Sequence, residues 1–431
     1  MKAPASSAED AWSALPWAQM NKAQFGSADN YRAICTAERC HRSGDLPGAL
    51  AVWRTRLERL DRKLAPQDWA MAAHNYANNL VRGGTEELAA EALSLARDVL
   101  IIRTASGNLL HHWETCQTLG EAAEVLLLRQ AEDLVGLMTS ALIELTIGYL
   151  QSGLGAAVRM GGGEWRFKAA VRLAIVARFI TGVSQRSKVL DQAWTHIDAA
   201  RPFLLSDQDA ASSEAALAHD IALQFAEDLA RQGPVGASPG MPFVFEGERA
   251  RLVLPWILRG VGGAQRRLAA RSRRPPAVEF ETWVRWTTAV QSGEPVEIGR
   301  CLELIQKRAP DFLSASPDLR GVEQWLATHD ASAAVISVGT RRGLLTAVLE
   351  HGPQMKVMIA LITAPPPPAT EPDIAASMSN GTLWSPQYKA TLAWARRCVI
   401  APIKQLVTGE IRSLLWRSEE RRVGKECRLT C

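Results

Sequence analysis

Between Asn30 and about residue 130, apolar and small residues return at helical spacing, interrupted at Gly44-Asp45 and again at Gly83-Gly84. Ala37 lies seven residues before Gly44, and Ala49 and Trp53 follow it. Small residues at such places let two antiparallel helices approach closely, and an aromatic one turn beyond the second alanine fills the seam. The unit then recurs. Asn75-Tyr76-Ala77-Asn78-Asn79-Leu80 precedes the glycine pair, and Ala92, Ala96 and Val99 follow it. A third copy offers Trp113, Leu119-Gly120 and Ala123. Ala37 to Ala77 is 40 residues and Ala77 to Gly120 is 43, a period that signals stacked helical hairpins over 27–128.

Residues 129–232 stay helical without a clear repeat. Leu134, Leu137, Met138, Ala141, Leu142 and Leu145 fall on one face at helical spacing. Gly161-Gly162-Gly163 breaks the chain before a helix from about Trp165 to Ile180, and helices are expected over Ser184–Ala200 and Ala210–Arg231. The pattern then changes. Gly, Pro and Arg rise over 233–297, which reads as a hinge or packed connector with a short helix near Trp283–Gln291. Helices near Ile298–Arg308 and Leu319–Thr328 lead into three short apolar runs, Ala333–Val338, Gly343–Glu350 and Met355–Ile362, that predict a β-meander. Pro365–Pro368 is an extended spacer, and an amphipathic segment over Pro386–Val407 is broken by Pro402. Residues 1–26 are Ala/Ser-rich and read as a loose arm.

Length and composition narrow the classes. At 431 residues, 47% apolar and 22% charged, the chain has room for two or three domains of about 100–200 residues each. The longest apolar stretch, Leu134–Leu150, carries Glu144, and a charge at a bilayer centre costs about 2.5–3.5 kcal/mol. No membrane span is therefore expected. The N-terminal MKAPASSAED has no apolar signal region, and seven scattered cysteines without paired spacing read as reduced thiols of a cytoplasmic protein. The net charge of +4 is too small to argue for nucleic acid.

Few residues carry chemistry. His112 and Cys116 share a helical face and could form half a metal site with His111, yet no further ligands accompany them, so packing is the better reading. Arg266, Arg267, Arg271, Arg273 and Arg274 make a basic cluster with only Phe280 nearby as a stacking aromatic. A solvated helix end or interdomain surface fits it better than a nucleic-acid site. The glycine loops at 161–163 and 260–263 lack the Lys-Ser/Thr of a phosphate cradle. No cofactor and no catalytic residue is therefore expected. His74, Asn75 and Asn78 sit on the first helix of a repeat, where polar side chains either line a partner-binding face or simply solvate the helix.

The repeat positions resemble tetratricopeptide repeats in a slightly long form, and Asp68–Leu80, with Trp69 eight residues ahead of Ala77, resembles the repeats that precede CHAT domains. The third copy is one residue shorter between Trp113 and Gly120. Further on, Pro310-Asp311, Ser316-Pro317-Asp318 and Trp325-Leu326, then the hairpin Ser332–Val338 and Gly343–Leu349, are similar to the opening of a CHAT domain. Leu392-Ala393-Trp394, Val399–Ile403 and Ile411–Trp416 resemble that domain's following helix, Pro-containing turn and next core strand. The resemblance implies a mainly α protein: a tetratricopeptide-like helical solenoid followed by an incomplete caspase-like α/β domain over 298–416. It implies a protein or peptide partner on the repeats. In that family a His and a Cys on adjacent strand ends form a peptidase dyad, and both lie beyond the strand that begins here at Ile411. This polypeptide is expected to be an inactive fragment, the competing expectation being a non-enzymatic repeat scaffold for protein–protein interaction. Arg417–Arg428 resembles the in-frame translation of a sequencing adapter, so 417–431 is expected to be a non-native tail; Leu429–Cys431 depart from that pattern.

Overall fold

The computed structural model describes residues 27–133, 136–161, 163–200, 208–232, 243–260, 274–292, 295–309, 326–327, 333–340, 343–350, 355–362 and 416–418. The expected N-terminal arm, the arginines 266–273, the helix near 319–328 apart from two residues, the proline spacer, the 386–407 segment and residues 419–431 lie outside them. The described residues are mainly α-helical, with a few strands. The chain divides into two compact units, Met1–Ala200 and Arg201–Cys431.

Among its described residues the first unit has eight helices: α1 Ala28–Arg42, α2 Leu46–Glu58, α3 Pro66–Gly83, α4 Glu86–Ser106, α5 Leu109–Asp133, α6 Gly136–Met160, α7 Gly163–Ala177 and α8 Val183–Ala200. Local chemistry sets their ends. Asp45 and Thr85 accept from the main-chain amides of Gly48 and Leu88, satisfying donors that α2 and α4 would otherwise leave free. Gly84 and Gly107 close α3 and α4 with φ of 67° and 70°, a left-handed turn that a side chain would strain. Consecutive helices pack on one another, and α1 also touches α3, α3 touches α5, and α5 touches α7. The small residues expected at the seams are there: Ala37, Ala49, Ala77, Ala92 and Ala96 are buried with Trp53 between them. Gly120 is also enclosed, since a β-carbon on it would lie 2.8 Å from Leu150 and 2.9 Å from Arg172.

The phase of α6 differs from the sequence expectation. Its buried side is Ile143, Thr146, Ile147, Leu150 and Leu154, whereas Leu145 is exposed and Leu142 half-buried. Leu145 and Val158 stand on its exposed side among Glu144, Gln151, Ser152 and Arg159, so the apolar spacing from Leu134 to Leu145 does not by itself single out the side that packs against α5. Among the described residues one helical stretch, Thr139–Met160, is long and apolar enough to cross a membrane, with 44% of its most apolar window buried.

The second unit contains α9 Gln208–Arg231, β1 Phe243–Glu246, α10 Glu248–Gly260, α11 Phe280–Ser292, α12 Pro295–Arg308, β2 Ala333–Thr340, β3 Gly343–Glu350, β4 Lys356–Ile362 and β5 Trp416–Ser418. The sheet order is β1-β4-β3-β2-β5. Strands β2, β3 and β4 form the expected antiparallel meander. Strand β1 adds to it antiparallel through Phe243↔Leu361, and β5 pairs parallel with β2 through Val335↔Trp416. Two of the three β5 residues, Arg417 and Ser418, belong to the stretch whose sequence resembles adapter; they face Ile336 and Ser337 in the register.

Helix α9 reads in sequence with the helices before it, but it belongs to this second unit. Its Phe225 meets Trp256 of α10 edge to face with ring centroids 4.8 Å apart. Gly260 has no room for a β-carbon, which would lie 2.3 Å from Leu223. Both helices touch the sheet, and Leu345, Ala347, Val348 and Leu349 are buried in succession along β3, as on a strand covered on both faces. The region 233–297 therefore supplies a sheet strand and two helices besides its connecting residues. Helices α11 and α12 form a hairpin with its own small core of Val278, Trp286, Ala289, Ile298, Cys301 and Ile305.

Candidate functional site

The three residues expected on a partner-binding face all lie on α3, between its neighbours α1 and α5. His74 is buried and Asn75 and Asn78 are half-buried. Asn75 does not reach outward, since its Nδ2 donates back to the Met71 carbonyl at 2.9 Å. His74 and Asn78, four residues apart on one face, meet directly: Asn78 Nδ2 donates to His74 Nε2 at 3.2 Å. Asn78 Oδ1 in turn accepts from Thr118 Oγ1 of α5 at 2.6 Å. The structure thus joins two of the three residues to each other and to α5, and leaves Asn75 tied to its own helix.

Beside this pair lies Arg103 of α4, almost wholly buried at 1% exposure. Its Nη1 donates to the His111 carbonyl and to Thr115 Oγ1, each at 2.9 Å, and lies 3.4 Å from Glu114 Oε2. Its Nη2 has the Met71 sulfur at 3.8 Å. Burial lowers the Arg103 pKa to about 10, opposed by the adjacent Glu114, so the guanidinium remains charged at neutral pH. Glu114 is raised by its own burial and held back by Arg103. Burial first, then the charge of Arg103 and His111, keeps His74 well below its ordinary value of 6.5, so its imidazole is neutral. His111 is lowered for the same reasons, and His112 by burial and Arg159.

The polar contacts continue along the first helices of successive hairpins. His41 Nε2 of α1 donates to Asn79 Oδ1 of α3. Arg172 of α7 reaches Glu124 and Glu121 of α5 at 2.7 and 2.9 Å, and Arg178 joins Glu124 at 2.9 Å. A polar seam therefore links α1, α3, α5 and α7 in order.

The possible half metal site comes apart. His112 faces Thr104 Oγ1 and Ser152 Oγ, while Cys116 is buried against Gly153 with its thiol pushed up to about 12 by burial. Among the described residues no group of three His, Cys, Asp or Glu could hold a metal ion. Of the basic cluster only Arg274 is described, and it donates to the Val278 carbonyl at 2.8 Å beneath the ring of Phe280. Chemically the seam can exchange hydrogen bonds and charge. Among its described residues it holds no nucleophile paired with a base.

Sequence reasoning missed Arg103, Glu114 and Thr118. One signal was available: Ala92, Ala96, Val99 and Arg103 stand at helical spacing, so an arginine closes an otherwise apolar stripe and must be buried with it. Comparison with protein-family models, curated proteins and solved structures found no significant match.

Proposed function

We propose that this chain is a helical-repeat protein whose first helices carry a protein or peptide partner, joined to the opening part of a caspase-like domain of the CHAT type. The observation that carries the repeat reading is a recurring link between first helices. Asn30 of α1 donates to the Asp68 carbonyl 38 residues on, His41 to Asn79 38 residues on, and Thr118 to Asn78 across 40 residues. Contacts between alternate helices at separations of 38 to 40 residues are in keeping with stacked tetratricopeptide-like hairpins, and the longer α7 link of 48 to 54 residues marks where the spacing changes. The caspase-like reading is supported by a three-stranded meander that receives a parallel strand beside its first strand. On that reading the family's His and Cys would come after Trp416 in the intact protein.

The repeat reading is tested by selecting peptides from a random display library on the full chain and titrating them against N75A and N78A. A loss of affinity of about tenfold in N78A, with helicity retained, is expected for a face centred on α3, while N75A, whose amide turns back to the Met71 carbonyl, should bind as the parent does. Peptides that bind both variants as well as the parent would remove this face from the reading. The peptidase reading is tested by following the coding DNA past the codon for Trp416, where a continued frame should bear a His and then a Cys. A second reading, a non-enzymatic scaffold, is favoured by the pairing of Arg417 and Ser418 with β2. An independent clone that reads through the present C-terminal sequence would count against the adapter resemblance and in favour of this second reading.

A further inference from the structure

His74 is buried, with 6% of its surface still exposed, and its Nδ1 has no hydrogen-bond partner among the described residues. Its other nitrogen faces the Asn78 amide. An amide nitrogen only donates, so Nε2 accepts and the single ring proton resides on Nδ1. Asn78 Oδ1 accepts from Thr118, whose hydroxyl also lies 3.2 Å from the main-chain oxygen of Glu114. The donors therefore run in one direction, from Thr118 through Asn78 to His74, and each member of that chain can turn round.

We propose that His74, Asn78 and Thr118 form a proton-sensing joint between α3 and α5, in which one proton taken from solvent at His74 Nε2 reverses the run of hydrogen bonds. After uptake, Nε2–H donates to Asn78 Oδ1, the turned Asn78 amide donates to Thr118 Oγ1, and the Thr118 hydroxyl donates to the Glu114 carbonyl. No other covalent N–H or O–H bond forms or breaks. The groups around the imidazole set the threshold. From α4, Arg103 opposes the added charge. From α5, His111 opposes it as well, while the Glu114 carboxylate, 4.0 Å from Nε2, favours it. From α1, His41 is engaged one turn further along with Asn79, and from α2, Arg54 is engaged with Tyr76 Oη. A charged imidazole beside a buried guanidinium loosens the joint, so acid weakens the contact between α3 and α5.

The test uses the full chain with histidine ring nitrogens and asparagine side-chain amides labelled for NMR, titrated from about pH 8 to about pH 3 so that a midpoint well below the ordinary imidazole value is covered. H74Q identifies the ring by difference. At the alkaline end the His74 proton is expected on Nδ1. On acidification both nitrogens become protonated, and the Asn78 amide signals move with the same midpoint. In H74Q the Asn78 signals stay still over that range. T118V leaves the Asn78 amide without an acceptor in the protonated state, and an unpaired N–H costs more than an unpaired carbonyl. Its midpoint is therefore expected to need roughly threefold more protons, with T118S restoring the parent value. Should H74Q fail to fold, the Thr118 pair carries the test. A neutral ring protonated on Nε2, Asn78 signals indifferent to pH, or an unchanged midpoint in T118V would each overturn the joint.

Discussion

Arg103 is where the first unit takes its largest electrostatic risk. A guanidinium at 1% exposure keeps its charge because the His111 carbonyl, Thr115 Oγ1 and Glu114 all converge on it. Truncation to Ala removes those bonds and leaves a void, so R103A is expected to cost about 3–5 kcal/mol in urea unfolding. R103M keeps the volume of the stem, and Glu114 is exposed enough to regain water, so its cost should be less than half of that. Equal losses in the two variants would mean that the charge, and not the packing, holds α4 to α5. Acid acts on the same neighbourhood. His74, His111, His112 and His196 are all held below 6.5 in the fold, chiefly by burial. A base depressed in the native state binds fewer protons there than in the unfolded chain. Its contribution is thus fully present above about pH 6.5 and is lost as the pH falls below it. The Tm of the first unit should drop between about pH 7 and about pH 5, and a Tm that is flat over that interval would contradict the assigned burial.

Along one element, α6, three glycines have opposite reasons to be there. Gly153 lies against α5, where an added β-carbon would stand 2.6 Å from Cys116 Cβ, while Gly148 and Gly155 have nothing within 4 Å. G153A should therefore destabilise by about 1–3 kcal/mol through overpacking. C116A should not rescue it, because the colliding atom survives that change. G148A and G155A should each stabilise by about 0.5–1 kcal/mol, since a helix interior gains from losing glycine's freedom. Thermal melts of the three variants decide the matter, and a stabilising G153A would mean that α6 sits further from α5 than described. Elements of this kind show what the sequence does and does not disclose. The hairpins are legible because Asp45, Thr85, Gly84 and Gly107 mark their ends and small residues mark their seams. The meander is legible because each run is seven or eight residues long with turn chemistry between. Strand β1 has four residues inside a Pro- and Gly-rich stretch, and only its partner β4 makes it a strand. The phase of α6 is hidden over its first half because the exposed Leu145 and the half-buried Leu142 continue the apolar spacing of Leu134, Leu137 and Met138, whereas Gln151, Ser152 and Arg159 mark the exposed side further on. For the site, the spacing placed His74 and Asn78 together on one face, but their burial depends on Thr118 and Arg103, which arrive from other helices.

At the scale of the molecule, the division at Ala200 makes the sharpest claim. The first unit draws its core from alanine-rich helix seams closed by Trp53, Leu80, Leu119 and Trp194, and the second from a five-stranded sheet with α9 and α10 against it. A unit with its own core and its own polar seam has what it needs to fold alone. Residues 1–200 produced by themselves should therefore be helical, monodisperse and cooperative in urea. Placing R103A in the full chain should lower one unfolding transition and leave the other where it was, because a defect in one independent unit does not propagate. If both transitions moved together, the two units would be one thermodynamic body despite their separate cores. If residues 1–200 alone unfolded without cooperativity, the first unit would depend on the second for its stability. The position of Ala200, between a helix that packs on α7 and a helix that packs on α10, makes the first outcome the expected one.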